Sequence, residues 1–212
     1  MILVGLTGGI GAGKSVVSSQ LAQHGAVIVD ADDIVRRLQQ PGQPVLRKMV
    51  ERFGEEILLP SGHLDRARLA ARVFSDKEAL AALNAIVHPA VGAEMMAQID
   101  AQRDTNSVVV LDVPLLVENP RTGLCGVLVV DLDPEIAVAR LVAQRGLSET
   151  DARARIARQA SRAQRRAAAD WIIDNSGTRL DLAREIAAAW KWMCSLPPAG
   201  PDAGRMARSP DS

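Results

Sequence analysis

The sequence predicts a three-layer α/β fold, with a parallel five-stranded sheet between helices. Five short apolar runs have the continuous hydrophobic character of strands that are buried on both faces, as strands of parallel sheets are. They cover residues 2–6, 26–29, 108–113, 127–130 and 171–174. A helical segment joins the first two runs, and this strand–helix–strand unit predicts a right-handed crossover.

The helices outside the middle of the chain have recognisable starts and ends. The first is expected to begin at Lys14 and to end at Gly25, which can adopt the left-handed backbone of a helix end. Three later helices are expected to begin at Asp133 followed by Pro134, at Ser148 with Asp151, and at Thr178 with Asp181. The helix from Ser148 is predicted to continue unbroken to about residue 168.

The middle of the chain, residues 33–103, has a helical pattern without a strand. Its expected breaks include Pro89, and its expected helix starts are Asp65 and Ser75, the latter in a capping box with Glu78. This stretch interrupts the alternation of strands and helices. We therefore expect a helical insertion at 32–105 that carries substrate specificity.

Composition restricts the class of protein. The chain has 212 residues, of which 48% are hydrophobic and 2% aromatic, so the core must be aliphatic. A formal net charge of zero argues against a protein that coats nucleic acid. No apolar run approaches the roughly 20 residues that span a membrane. We expect one cytoplasmic domain at 1–196, monomeric and without nucleic-acid or membrane partners, followed by a disordered tail at 197–212 that is rich in Pro, Gly, Ser and Asp.

Residues 8–15, GGIGAGKS, match the phosphate-binding motif G-x-x-x-x-G-K-[ST] at every specified position. Glycines let successive backbone N–H groups point at phosphate oxygens, and the helix that follows adds its positive N-terminal end. We expect Lys14 to reach the β- and γ-phosphates of ATP and the Ser15 hydroxyl to bind Mg²⁺. The expected ATP-binding residues of this loop are Gly11, Ala12, Gly13, Lys14, Ser15 and Val16.

Two carboxylates, Asp30 and Asp32, stand where the second strand ends, at the edge of an open α/β sheet where ligands bind. A carboxylate there can accept the proton of an attacking hydroxyl and fix its direction. Position alone allows a second interpretation, in which Asp32 only caps the following helix.

Several motifs together resemble the dephospho-coenzyme A kinase family. They are LTGGIGAGKS at 6–15, DADDIVR at 30–36, HP at 88–89, PLLVE at 114–118 and ADWIIDNSG at 169–177. They occur in the family's order and extend over most of residues 1–180. The phosphate loop is generic, whereas the later motifs are more specific.

The resemblance implies a P-loop kinase fold and a reaction in which ATP phosphorylates the ribose 3′-hydroxyl of dephospho-CoA, with Mg²⁺ as cofactor. It implies that Asp32 is the base and that Arg36, four residues further along the helix, helps to hold substrate. Asn175 and Gly177 correspond to the adenine side of the ATP site. Further substrate contacts are expected at His88, Leu115 and Glu118.

Two more carboxylates are candidates for binding Mg²⁺. Asp112 and Asp131 each close an apolar strand, so each fits the acidic residue that helps to hold the ion in P-loop proteins, and each could equally be a strand end without a metal role.

A mobile helical lid is expected at 140–168. Arg155, Arg158, Arg162 and Arg165 are spaced three, four and three residues apart, which on one continuous helix places them on one face. Like charges at this spacing repel unless an anion compensates them, so the stripe is either a solvated face or a phosphate contact. The resemblance favours Arg140 as a catalytic contact to the γ-phosphate.

Two other functions remain open on sequence alone. One is a P-loop kinase for a nucleoside monophosphate or another metabolite. The other is a P-loop regulatory or nucleic-acid-remodelling protein, against which the neutral charge and the scarcity of aromatic residues for stacking count.

Overall fold

The computed structural model describes residues 1–74 and 76–206. Its five strands form one parallel sheet in the order β2-β3-β1-β4-β5. The strands are β1 (Ile2–Gly8), β2 (Val27–Asp30), β3 (Val108–Asp112), β4 (Gly126–Asp131) and β5 (Trp171–Asp174). The predicted fold class and all five predicted strands are confirmed.

Nine α-helices are found in the described part of the chain. They are α1 (Lys14–Gln23), α2 (Ala31–Leu38), α3 (Pro44–Phe53), α4 (Arg66–Phe74), α5 (Lys77–Asp100), α6 (Pro134–Arg145), α7 (Glu149–Ala157), α8 (Arg162–Ala167) and α9 (Arg179–Cys194). A short 3₁₀ helix, Glu55–Ile57, lies between α3 and α4.

One face of the sheet packs against α1 and α9. Alternate residues of the central strand, Val4 and Leu6, meet Leu21 of α1 and Ile186 of α9 in one buried cluster. Successive strand residues point to opposite faces, and Leu3 is also fully buried, so β1 is covered on both sides. This burial holds the carboxyl ends of the strands, and the loops that follow them, in fixed positions.

The expected helix starts have the capping bonds that their sequences predict. The side chains of Asp65, Asp133, Ser148 and Thr178 each accept a backbone N–H from the first turn of the helix that follows. Such caps satisfy N–H groups that have no partner inside the helix. The capping box expected at Ser75 lies outside the described residues; in the described part, Asp76 accepts the N–H groups of Glu78 and Ala79.

Two helix predictions were wrong. The helix expected from Ser148 to residue 168 is two helices, α7 and α8, because Ser161 forms a capping box with Gln164 and starts a new helix. Conversely, Pro89 does not break α5, which continues from Lys77 to Asp100. The flanking residues Val87 and Val91 pack into a hydrophobic cluster, and this tertiary packing offsets the backbone hydrogen bond that proline cannot make.

The chain divides into two compact units. One comprises residues 1–29 and 99–206 of the described chain, and the other begins at Asp30 and ends at Gln98, against a predicted insertion of 32–105. The second unit has its own core around Met49 and Phe53, to which α2, α3, α4 and α5 contribute. Within the described residues, α5 alone is long and apolar enough to span a membrane by length and composition, which core helices of soluble proteins also are.

The tail departs from the predicted disorder over its described part. Backbone hydrogen bonds join Thr122 to Arg205 and Gly204 to Thr122 at 2.8 and 2.9 Å, and Ala203 is fully buried beside Gly123. Composition indicated only that residues 197–206 have no helical or strand pattern. It could not indicate that the loop around Thr122 offers backbone partners to this segment. The rest of the predicted tail, 207–212, lies outside the described residues.

Candidate active site

The loop between β1 and α1 presents backbone N–H groups without protein acceptors. In the described part of the chain this holds for Gly11, Gly13, Lys14 and Ser15. Gly11 and Gly13 have φ values of 81° and 89°, in the left-handed region that glycine adopts without strain. Because α1 begins at Lys14, its positive end is at the same loop. The loop is therefore built to bind an anion with several oxygen atoms.

Asn175 holds this loop in place. Its side chain is buried, and its Nδ2 donates to the Ala12 carbonyl at 2.7 Å. A Cβ atom at Gly13 would lie 2.3 Å from that Nδ2, so the close contact requires glycine. The Asn175 carbonyl in turn accepts a hydrogen bond from Arg140 Nη2 at 2.9 Å. Two residues expected to contact ATP thus contact each other at the phosphate loop.

Lys14 forms an ion pair with Asp112. Asp112 ends β3, next to β1, and its side chain is only 2% exposed. The two candidate metal carboxylates are therefore distinguished, since Asp112 lies at the phosphate loop whereas Asp131 binds arginines. The Ser15 hydroxyl is exposed at the start of α1. No cluster of three or more His, Cys, Asp or Glu side chains that could hold a metal is found within 1–74 and 76–206.

Asp131 binds two arginines of α8. Arg162 donates to both carboxylate oxygens at 2.9 to 3.2 Å, and Arg166 donates at 2.6 Å. Arg162 also reaches Asp133 at 3.2 Å. The Asp131 side chain is 2% exposed, so these arginines compensate a buried charge. The arginine stripe of the sequence is thus divided, because Arg162 already has a protein carboxylate as partner.

The remaining members of the stripe have different environments. Arg165 is buried, donates to the Ala160 carbonyl, and would lie 2.8 Å from a Cβ atom at Gly9. Burial lowers the pKa of its guanidinium. Arg155 and Arg158 are exposed, on α7 and at its end. They do not share one helix face with Arg162 and Arg165, because the helix is broken between them.

The pKa of Asp131 predicts an acid-dependent loss of stability. Burial alone would raise this pKa, but hydrogen bonds from Arg162 and Arg166 outweigh burial and hold it below the ordinary value. The unfolded chain then binds the proton more tightly, so ionised Asp131 stabilises the fold above the ordinary aspartate pKa of about 3.9. That contribution disappears as the pH falls from there through the lowered pKa of the folded state.

Asp131→Asn is therefore expected to lower the free energy of unfolding at pH 7 by about 2 kcal/mol. The difference from the unmodified protein should shrink as the pH falls below about 4. Urea unfolding between pH 7 and pH 3 measures both quantities. Asp104→Asn is the matched control, because Asp104 is exposed and makes no hydrogen bond or ion pair with described residues. A difference that stays constant down to pH 3 would contradict the assignment.

The connection between α7 and α8, residues 158–161, lies against the phosphate loop. Gln159 Oε1 accepts the backbone N–H of Ile10 at 2.7 Å, and Glu118 Oε1 accepts the N–H of Ala160 at 2.7 Å. Glu118, expected as a substrate contact, thus holds this connection. Sequence reasoning missed Gln159, and no local signal marks it, since its partner is 149 residues away.

The other expected substrate residues are exposed. Asp32 and Arg36 lie on α2 and His88 lies on α5, all in the second unit. Asp30, not Asp32, caps α2 by accepting the N–H of Asp33, which removes the purely structural interpretation of Asp32. No described side chain forms a hydrogen bond or ion pair with the Asp32 carboxylate. Leu115 follows β3 in the first unit and is 41% exposed.

Of the remaining expected ATP contacts, Val16 on α1 and Gly177 after β5 are exposed. The phosphate loop, Arg140 and the loop after β5 lie together, because β1, β4 and β5 are neighbours in the sheet and Asn175 contacts both Ala12 and Arg140. An open anion site and a lysine can together bind a nucleotide through its phosphates and stabilise negative charge on them, while the buried Asp112 carboxylate holds the lysine at the loop.

Comparison with known proteins identifies relatives of this architecture. The dephospho-CoA kinase family model matches residues 2–181. A dephospho-CoA kinase of Thermobifida fusca is 52% identical over 192 residues, which cover 90% of this chain and 96% of that protein. One from Mycolicibacterium paratuberculosis is 53% identical over 191 residues, again 90% of this chain but 47% of the longer relative.

Two solved structures are also similar to this chain. The Thermus thermophilus protein TT1252 superimposes with a TM-score of 0.73 at 34% identity, covering 90% of this chain and 97% of that one. A dephospho-CoA kinase from Campylobacter jejuni has a TM-score of 0.65 at 24% identity over 90% of this chain and 96% of its own, which supports the fold.

Proposed function

This chain belongs to the dephospho-CoA kinase family, and on that premise we propose that it transfers the γ-phosphate of ATP to the ribose 3′-hydroxyl of dephospho-CoA, the last step of coenzyme A synthesis. The observation that carries the proposal is the phosphate loop with its available N–H groups and Lys14. The alternative, a kinase for another metabolite, is not favoured, because relatives covering most of the chain are dephospho-CoA kinases.

ATP binds with its phosphates on the loop. The N–H groups of Gly11, Gly13, Lys14 and Ser15 donate to phosphate oxygens, with Ala12 and Val16 in the same segment. Lys14 breaks its ion pair with Asp112, or keeps it in part, and reaches the β- and γ-phosphates. The loop after β5, with Asn175 and Gly177, lines the adenine side. Arg140, which contacts the Asn175 carbonyl beside the phosphate loop, acts on the γ-phosphate.

Mg²⁺ fits the residues at the loop. The ion takes oxygen ligands, usually one or two from protein side chains together with water and phosphate oxygens. The Ser15 hydroxyl and the Asp112 carboxylate are the protein oxygens that would hold it. When bound, Mg²⁺ neutralises charge on the β- and γ-phosphates.

Asp32 is the proposed catalytic residue on the acceptor side. Asp32 accepts the proton of the 3′-hydroxyl as its oxygen forms a bond to the γ-phosphorus, while the bond from that phosphorus to the bridging oxygen of ADP breaks. Arg36, His88, Leu115 and Glu118 hold substrate. The exposure of the Asp32 carboxylate, with no described protein partner, supports this role.

A lid formed by residues 140–168 closes over ATP and excludes water that would otherwise be phosphorylated. We expect a non-hydrolysable ATP analogue to increase protection from amide hydrogen exchange across 140–168. The helices of the second unit, which hold no expected ATP contact, serve as the internal reference when dephospho-CoA is omitted. Equal exchange at 140–168 with and without the analogue would refute the lid.

A coupled ADP-release assay with ATP, Mg²⁺ and dephospho-CoA tests the function, with the product analysed for a 3′-phosphate. Turnover that requires dephospho-CoA is the expected result. Intact ATP binding without such turnover would overturn the acceptor assignment, and other alcohols and nucleotides would then be screened. We further propose that the protein is cytoplasmic and monomeric. Sedimentation of the same preparation without detergent measures whether it stays in solution and whether its mass is that of a monomer.

A further inference from the structure

We propose that Gln159 is a positioning residue that couples the lid to the phosphate loop and so keeps the lid closed over the phosphates during transfer. Its amide oxygen accepts the Ile10 N–H at 2.7 Å. Ile10 belongs to the glycine-rich loop, and Gln159 belongs to the connection between α7 and α8. The proposal rests on the proposed kinase function, since it assigns a role within that site.

The Ile10 N–H is not one of the N–H groups of the phosphate loop that remain available to bind phosphate. The N–H groups of Gly11, Gly13, Lys14 and Ser15 have no protein acceptor within the described chain, and that of Ala12 bonds to the Gly9 carbonyl. Ile10 therefore differs from the neighbouring residues, because its N–H binds a lid side chain. The lid is attached at one point of the loop while the other donors remain available for phosphate.

Side-chain packing reinforces the attachment. Ile10 lies against a small cluster made by Val138 and Leu141 of α6 and by Ala152 of α7, with Ile156 beside it. A movement of α7 away from the loop would thus expose Ile10 and break its backbone hydrogen bond in the same step.

Two other contacts position the connection itself. Glu118 accepts the Ala160 N–H at 2.7 Å, and Arg165 donates to the Ala160 carbonyl while lying over Gly9. Both backbone groups of Ala160 are therefore occupied, which fixes the residue next to Gln159. The anchored backbone at Ala160 holds the neighbouring Gln159 amide at the loop.

The test replaces Gln159 by Met, which has similar size and no strong acceptor. In the ligand-free protein, the Ile10 amide should exchange about tenfold faster with solvent, because its hydrogen bond is lost. Nuclear magnetic resonance measures this single amide without ATP or dephospho-CoA, so the result does not depend on the acceptor assignment. Gln159→Glu retains an acceptor oxygen at the same reach and should restore the protection.

Kinetics then test the coupling. With the cradle intact, the KM for ATP should change little in Gln159→Met, whereas kcat for phosphoryl transfer should fall about tenfold. ATP hydrolysis without acceptor should rise relative to transfer, because a loosened lid admits water. If Gln159 contributed only to stability, the substitution would change neither kcat relative to KM nor the ratio of ATP hydrolysis to transfer. The matched control is Gln23→Met at the exposed end of α1, where no described residue forms a hydrogen bond with the Gln23 side chain.

Unchanged Ile10 exchange in Gln159→Met would overturn the proposal at its first step. Faster exchange with unchanged kcat and an unchanged hydrolysis ratio would overturn the coupling. If every variant and the unmodified protein lacked dephospho-CoA-dependent turnover, the proposed function would fail, whereas the exchange rates and the ATP hydrolysis rate would still decide the role of Gln159.

Discussion

Replacing Asp32 by Asn is expected to lower kcat by about 10³-fold, within the usual effect of removing a general base. Asparagine keeps the size and the hydrogen-bonding reach of the side chain but does not accept the proton of the 3′-hydroxyl. Asp32 is exposed and Asp30 caps α2, so the substitution removes no observed structural contact. Stability and the KM for ATP should therefore stay close to those of the unmodified protein. The coupled assay with saturating ATP and dephospho-CoA measures the effect.

Asp33→Asn is the matched control for this prediction. Asp33 is the next residue of the same helix and is exposed, and its carboxylate pairs on the surface with Arg37 at 3.2 Å and with Arg36 at 3.7 Å. Surface pairs of this kind contribute at most about 1 kcal/mol, so activity should be retained. Comparable losses in both variants would show that α2 needs its negative charge in general, and the assignment of Asp32 as the base would have to be abandoned.

Replacing Lys14 by Met is expected to lower kcat by about 10³-fold, the scale on which a preorganised charged donor stabilises a transition state. The γ-phosphate accumulates charge on its oxygens during transfer, and Met leaves that charge without its ammonium partner. The loop N–H groups remain, so ATP binding should persist with weaker affinity. Titration with a fluorescent ATP analogue and the coupled assay separate the two quantities.

Lys14 also pairs with Asp112, so stability needs its own control. Removing one partner from a buried ion pair destabilises proteins, and Asp112 is 2% exposed. The variant must therefore be compared with the unmodified protein by urea unfolding at the assay temperature, with activity measured only where both are folded. Lys191→Met, at an exposed position of α9, controls for the loss of a positive charge. Turnover near the unmodified level in folded Lys14→Met would contradict the assigned role.

The roles of the two carboxylates at the strand ends could not be predicted from the sequence. Asp112 and Asp131 both close apolar strands, and the sequence offered no means of distinguishing them. The structure pairs Asp112 with Lys14 and Asp131 with Arg162 and Arg166. Which cation reaches which carboxylate depends on strand order and on the packing of α8, and neither is encoded in a local pattern.

The arginines of the expected lid were assigned to one helix face, and the structure separates them. Their spacing places them on one face only if the helix is continuous. The prediction of one continuous helix did not take into account the cap at Ser161, which starts α8. Because α7 and α8 are separate helices, Arg162 pairs with the buried Asp131, whereas Arg165 donates to the Ala160 carbonyl and lies beside Gly9. Residues at helical spacing share one face only when a single helix contains all of them.

The sequence by itself determined the strands, most helix starts and the phosphate loop. Each depends on residues close together in the chain: apolar runs, capping side chains two or three positions from the N–H groups that they accept, and a glycine turn followed by lysine. Only the tertiary structure decided the partners of Lys14, Asn175 and Gln159, which are 98, 163 and 149 residues away along the chain. Those distances close only when the parallel sheet brings the ends of its strands together, so no local signal could reveal them.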